Sequence, residues 1–364
     1  MNREQLADAF RDPTEFVTSP LYRALSRAVA ADDGLLDLAG RGRPGQYPTF
    51  LFFGAVHHLL LGGAGHPLAR FYPSLAGSRA LSPDDPAAGQ ALVSFCREFE
   101  PELTKTISTR LVQTNQVQRA LALRFGLAAI AAEIPAPAYL IEVGTSAGLN
   151  LRFDRYGYHV GGRHFGDPGS PVQLTASLHG SAPLPDLDAL PEIASVLGVD
   201  LSPVDVLDPD ARSWLEALVW PENHRQRAQL AAACAVAAAD PPPIRAGDAI
   251  DVLPRIAASL PPGAPRVVFH SATRMHVPAG RLAAFDAAIA GLGTAGPLWW
   301  LSLESTADPD PRPEAARQAR PGAGLVLRRA GVAGRDDASE VIAVVDGHLG
   351  WLETAPRQAR TAAT

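Results

Sequence analysis

Lysine is nearly missing from this 364-residue chain: Lys105 is the only one among 32 Lys and Arg residues. Nor do the cations outnumber the anions. With 32 Lys and Arg against 38 Asp and Glu, a net charge of −6, the chain lacks the basic surplus of a general nucleic-acid binder, and no nucleic-acid partner is expected. Cysteine is as scarce. Cys96 and Cys234 lie far apart, which excludes a disulfide framework and a Cys-x-x-Cys metal or redox motif. Long apolar runs are lacking too. The longest, Phe50 to Leu61, is interrupted by His57 and His58 and is too short to span a bilayer. The opening residues, MNREQLADAFRDP, have no apolar core of the kind a secretion signal needs. Together these absences predict a soluble, cytoplasmic protein with no membrane partner. The ten histidines include no His-x3-His pair joined to carboxylates, and adjacent His57 and His58 would point about 100° apart on a helix. No metal is expected.

What is present is apolar material for a sizeable core: 47% of the residues are hydrophobic, enough for one large or two ordinary domains. Residues 1–134 read as a helical region. Leu21, Leu25 and Val29 recur at helical spacing, and Ser19 before Pro20 has the form of an N-cap followed by proline in the first turn. A second helix is expected from Pro48 to Leu61, and further helices over Ala91–Phe99 and Leu103–Ile134, the last ended by Pro135 and Pro137. No strand is expected before Tyr139.

From residue 135 to the end the pattern changes to alternating strands and helices. Strands are expected at Tyr139–Val143, within Ile193–Val206 ending near Asp200, at Ile244–Asp248, Arg266–His270 and Pro297–Glu304. Helices are expected at Ile250–Leu260 and Pro278–Gly291. Gly161-Gly162 marks a β-hairpin inside an insertion of about residues 156–178, and Leu325–Arg329 with Glu340–Val345 reads as a closing hairpin that Gly350–Glu353 can extend. Alternation of this kind predicts an α/β fold with a Rossmann-like, doubly wound sheet.

The most informative segment is YLIEVGTSAGLNL, residues 139–151: a buried strand, a glycine turn and a helix start. Glycines at 144 and 148 permit positive φ and close approach of backbone to a ligand, and a helix N-terminus offers unpaired N–H groups. Two enzyme classes share that architecture. Gly144-Thr145-Ser146-Ala147-Gly148 spells the G-x-S-x-G elbow of serine hydrolases, with Ser146, Asp308 and His348 in the order Ser, acid, His. Against this, no strands precede Tyr139, the Gly62-Gly63-Ala64-Gly65 cluster follows a helix rather than a strand, and bulky Leu149 and Asn150 follow Gly148.

Read instead as acid-x-Gly-x-Gly-x-Gly with Ser146 at the middle glycine, EVGTSAGLN resembles the first motif of class I S-adenosylmethionine-dependent methyltransferases. The resemblance implies that Gly144 and Gly148 let the backbone approach the methionine part of S-adenosylmethionine, with Glu142 near its amino group and Thr145, Ser146 and Asn150 in the same cofactor site. It also implies that Asp200, in GVDLSP, meets the ribose hydroxyls, and that Asp248 and Ala249, in RAGDAIDVLP, meet the adenine. Taken together, QTNQVQRALAL, EVGTSAGLNLRFDRYGY, GDPGSPVQL, WLEALVWPENHRQRAQL and VVFHSATRMHVP resemble, over nearly the full chain, a bacterial, largely actinobacterial, family of unknown function with a methyltransferase-like domain. Gln116 and the Arg274-Met275-His276 run depart from that family's pattern.

Chemistry needs more than a cofactor. His270 ends the RVVFH strand, where ligands of open α/β sheets bind, and it is the first candidate for general base; His276 is the second. Asn115, within the polar run 113–115, and Arg155 and Tyr156, after the motif, are candidates for substrate contact. The helical region and the insertion are expected to roof the pocket. Methyl transfer to a small molecule is the leading expectation. Other chemistry with the same cofactor, binding without catalysis, and serine hydrolysis are the alternatives.

Overall fold

The structure, a computed structural model, describes residues 1–12, 14–113, 115–305, 323–334 and 339–355. Its residues divide into two compact units. The first comprises Met1–Asn115 and Leu207–Ala231; the second comprises Gln116–Val206 and Ala232–Thr364. The division thus falls earlier than residue 134, and a later segment, 207–231, returns to the helical unit.

Among its described residues the first unit is helical. The helix Pro20–Ala30 starts where the sequence places it: Ser19 Oγ accepts from the Tyr22 amide, and Pro20 fills a position whose N–H would have no helical partner. Helix Pro48–Leu61 is buried on most sides, with Leu51, Phe52, Phe53, Ala55 and Val56 all at 0% exposure, because other elements of this unit surround it. Its neighbour Pro209–Ala217 brings Trp214 and Leu218 into the same core, and Trp220 packs on Phe16 and Phe50. The single helix expected over 103–134 is two: Glu100–Thr109 and Ala120–Ile130.

In the second unit eleven strands form one mixed sheet: β1 (Ala138–Val143), β2 (Gly157–Val160), β3 (Arg163–Gly166), β4 (Gln173–His179), β5 (Ile193–Asp200), β6 (Ile244–Ala246), β7 (Arg266–Ser271), β8 (Leu298–Ser305), β9 (Ala323–Ala330), β10 (Ser339–Val345) and β11 (Trp351–Thr354), in the order β3-β2-β4-β11-β10-β9-β8-β7-β1-β5-β6. No strand precedes β1 among the described residues. The run β8-β7-β1-β5-β6 is parallel throughout. The central strands β8, β7 and β1 are largely apolar on both faces because helices cover both, whereas β6 at the edge is mostly exposed. On one side Gly126, in helix Ala120–Ile130, lies so close to Leu301 that a Cβ there would collide with it. On the other, Leu253 and Ile256 of helix Ala249–Ser259 and Phe285 and Ile289 of helix Leu282–Ala290 pack on Ile141, Val143, Val268 and Trp300.

β9 and β10 form the expected closing hairpin, and β11 extends it. The expected insertion is a hairpin, β2–β3, turning at Gly161-Gly162. It does not stand apart as a roof. With β4 it prolongs the sheet beyond β11, and Tyr156 and Tyr158 tie it to the chain after β1 by donating to the Leu149 and Phe153 carbonyls.

The segment after the glycine turn differs from expectation. Leu149–Arg155 is a 3-10 segment kinked at Arg152, not a regular α-helix. The turn therefore lacks the aligned N–H groups of a full helix start. No described helix is long and apolar enough to cross a membrane.

Candidate functional site

Numbered by their appearance in the chain, the five parallel strands run third, second, first, fourth, fifth across the sheet. The order reverses between β1 and β7, and the chain leaves those two strands in opposite directions. A crevice at that point is the usual place for a ligand in an open α/β sheet. The site is therefore built from the carboxyl ends of β1, β5, β6, β7 and β8.

Glu142, one residue before the end of β1, is at 1% exposure. One oxygen accepts from Thr145 Oγ1 at 2.6 Å and the other from Asn150 Nδ2 at 2.8 Å. Burial pushes this carboxyl up to about 7, although those two hydrogen bonds and the charge of Arg119 oppose the rise; Asp200 adds to it. The chain then turns through Gly144 (φ 75°), Ser146 (φ 51°) and Gly148 (φ 70°). Gly144 is exposed, and a Cβ there would run into the Thr273 side chain; a Cβ at Gly148 would run into Pro242. Both positions thus require glycine for conformation and for space.

Asp200, at the end of β5, clamps the turn. Its two oxygens accept from the Ser146 and Ser202 amides, each at 2.8 Å. Asp248 caps helix Ala249–Ser259 by accepting from the Ile250 amide and pairs with Arg281 at 2.6 Å. Ala249 packs against the apolar cluster on that face.

On β7, His270 is wholly buried between Phe285 and Trp300. Its Nδ1 lies 2.7 Å from Glu304 Oε1 on β8, while its Nε2 has no protein partner. The same Glu304 oxygen accepts from the amides of Thr273 and Arg274, each at 3.2 Å. Burial pushes the Glu304 carboxyl upward, but the His270 contact and the two amides outweigh it and hold the group below the ordinary carboxylate value. Thr273 Oγ1 in turn donates to the carbonyls of Val143 and Ser271, bridging the ends of β1 and β7. His276, on the 3-10 turn Arg274–His276, is held below its ordinary value by burial; Arg119 reinforces this and Glu304 opposes it. Arg119, just before helix Ala120–Ile130, is lowered by burial against the charges of Glu304 and Glu142.

Glu142, Gly144, Thr145, Ser146, Gly148, Asn150, Asp200, His270 and His276 thus gather on neighbouring strand ends, with Asp248 and Ala249 two strands from β1. Two other candidates of the same unit stand elsewhere, and a third belongs to the helical unit. Tyr156 is in the core with its hydroxyl on Leu149. Arg155 is exposed beside Asp154 and Asp240. Asn115 is the last residue of the helical unit's first segment. Of the hydrolase order, His348 lies 3.0 Å from Gln116 through Nδ1, and Asp308 lies outside the described residues. No group of three or more His, Cys, Asp or Glu side chains among the described residues is arranged to hold a metal ion.

A family described as "Uncharacterized protein conserved in bacteria (DUF2332)" matches residues 7–353. The chain belongs to this family. Its span takes in every strand of the sheet but the last residue of β11, and every side chain of the site. Neither a curated protein nor a solved structure matches the chain. The family description names no activity, so the chemistry rests on the site itself. Two members of the site carry no mark in the sequence reading: Arg119 and Glu304. Glu304 had a signal, being an acid at the carboxyl end of a predicted parallel strand, the same position that singled out Glu142 and Asp200. Arg119 sits in an apolar helical stretch and looks like a solvated face.

Proposed function

We propose that this family member binds S-adenosylmethionine and transfers its methyl group to a small-molecule acceptor. The observation that carries the reading is the reversal of strand order between β1 and β7, which opens beside a glycine turn at positive φ with acids on the adjoining strand ends. This is the arrangement by which α/β sheets hold nucleoside ligands. The residues fit the group. Gly144 presents bare backbone for the methionine part. Asp200 accepts from two backbone amides at the end of β5, and a carboxylate on a strand end beside the glycine turn is the group that receives ribose hydroxyls. Ala249 is small and backed by apolar side chains, as an adenine face requires. When bound, the cofactor supplies an electrophilic methyl group. The chain supplies position, which governs much of the rate of such a transfer, and a proton acceptor. His276, kept neutral by its surroundings, and His270 are the two imidazoles in place for that role.

Ser146 at φ 51° is the one observation favouring a serine hydrolase, since nucleophile elbows are strained in this way. In that turn, however, Asp200 accepts the Ser146 amide, and no regular α-helix follows. Calorimetric titration with S-adenosylmethionine and S-adenosylhomocysteine decides between the two. Binding that persists in Ser146→Ala and is lost in Gly144→Val supports the cofactor reading. No heat with either compound at millimolar concentration, together with fluorophosphonate labelling of Ser146, sinks it.

A further inference from the structure

The His270–Glu304 pair is buried on all sides, yet it is not internally complete. His270 stands at 0% exposure and Glu304 at 2%, and after their mutual bond His270 Nε2 and Glu304 Oε2 are both left without a protein partner. Fully buried polar atoms are nearly always satisfied, and each exception calls for an explanation, of which a role in chemistry is one; here two exceptions fall on one interacting pair. Structural histidines elsewhere in the chain obey the rule: His57, equally buried, has both ring nitrogens engaged, with Ala217 and Ser74.

Glu304 also fixes which nitrogen is free. Its Oε1 already receives two backbone amides, so it is an acceptor at that point, and the ring nitrogen facing it must be the donor. The imidazole is then the Nδ1–H tautomer, with a lone pair on Nε2. An imidazolium would instead bury a second N–H with nothing to receive it.

The two amides belong to the loop that follows β7. That loop opens at Ala272 with φ 46°, a left-handed conformation disfavoured for alanine, and continues through Thr273, whose side chain abuts Gly144. Strain of this kind persists only where the surroundings enforce it, and the Glu304 contacts are what enforce it here.

We infer that Glu304 is a positioning residue with two tasks joined at one oxygen: it holds His270 with Nε2 as the proton acceptor, and it pins the Ala272–His276 loop over the Gly144 turn. The inference rests on the proposed methyl transfer only for the identity of the proton donor. There, the acceptor molecule's heteroatom gives its proton to Nε2 and keeps the bonding electron pair, and Glu304 stays a carboxylate opposite the imidazolium. The charge gained by His270 strengthens its bond to the same carboxylate that holds the loop amides. The other charged groups at this edge are His276 and Arg274 on the loop, the latter paired with Asp286, Arg119 before its helix, and Glu142 on β1.

The test is nitrogen-15 NMR of the full chain labelled at histidine, with His270 assigned by the signals lost in His270→Gln. The wild type is expected to show Nδ1 protonated, with its proton far downfield as a charge-assisted bond requires, and Nε2 bare. In Glu304→Gln that proton moves back toward the ordinary imidazole position, and the Thr273 and Arg274 amides exchange with solvent faster by about tenfold or more while β1 amides do not. Glu304→Asp is expected to restore the downfield proton in part. An Nε2–H tautomer in the wild type overturns the inference, whatever the variants do. So does Glu304→Gln with unchanged loop exchange. Because no cofactor enters this experiment, failure to bind S-adenosylmethionine would remove the proposed reaction and leave these signals in place.

Discussion

At Glu142, burial and hydrogen bonding oppose each other, and burial wins. Raised to about 7 from the ordinary 4.5, the carboxyl binds its proton more tightly in the folded state than in the unfolded one. Stability is therefore fullest below about 4.5 and falls as the pH climbs through 7, by up to about 3 kcal/mol for a shift of this size. Glu142→Gln, which keeps the shape without the charge, is expected to lose less stability than the wild type between pH 5 and pH 8 in urea titrations. Equal slopes would show that Glu142 ionises freely. Gly148 is constrained differently. A methyl group there meets Pro242 while the backbone sits at φ 70°, so Gly148→Ala is expected to cost about 1–3 kcal/mol in thermal unfolding.

Among the elements, the firmest junction is made by Glu133, in the short turn after helix Ala120–Ile130. It receives Arg329 of β9 through two nitrogens, at 2.8 and 3.0 Å, and Trp299 of β8 at 3.0 Å, while Arg329 also reaches Glu340 of β10. Glu133 thus fastens a helix end to two strands, β8 and β9, and Arg329, itself nearly buried, carries the link to a third, β10. Arg329→Ala is expected to lower stability by about 1–2 kcal/mol, since it leaves two partly buried carboxylates without their cation. The Glu133→Gln, Arg329→Met double variant should recover part of that loss, which a double-mutant cycle would measure.

The elements themselves were largely readable in the sequence. Short continuous apolar runs bounded by glycine or proline located β1, β7 and β8 within a residue or so, because parallel strands covered on both faces admit little else. Ser19-Pro20 marked a helix start because capping is local chemistry. The fate of residues 103–134 was not readable: the apolar spacing continues across the break, and only the tertiary setting decides where the helix stops. The same limit applies to the site. Glu142 and Asp200 stood out through their neighbours in sequence, whereas Arg119 acquires its meaning from Glu142 and Glu304, which are distant in the chain. The 3-10 turn after Gly148 was likewise hidden, for its residues are ordinary helix formers.

For the whole molecule, one buried group in each unit, His57 and Glu142, is expected to make stability depend on pH in opposite senses. In the helical unit, burial lowers His57 from 6.5 to about 4. The unfolded state then takes up the proton first, so stability is lost as the pH falls from 6.5 toward 4, by up to about 3 kcal/mol. In the sheet unit the Glu142 contribution is lost as the pH rises. Hydrogen exchange corrected for intrinsic rates should show residues 48–61 loosening at pH 5 and residues 138–143 loosening at pH 8. His57→Gln is expected to flatten the first response and leave the second. A common response of both segments would show that neither group governs its unit.

The strand order carries a last consequence, for the chain as it is being made. β1 has β5 on one side and β7 on the other, and neither is its neighbour in sequence. Its second edge stays bare until β7 emerges, roughly 120 residues after Val143, a wait on the order of ten seconds at ribosomal speeds. Throughout that interval Leu140, Ile141 and Val143 form a sticky ribbon on every nascent chain of a polysome. Slowed, sparse synthesis, at low temperature or from a weak ribosome-binding site, should raise the soluble yield more than any change to the finished protein's surface.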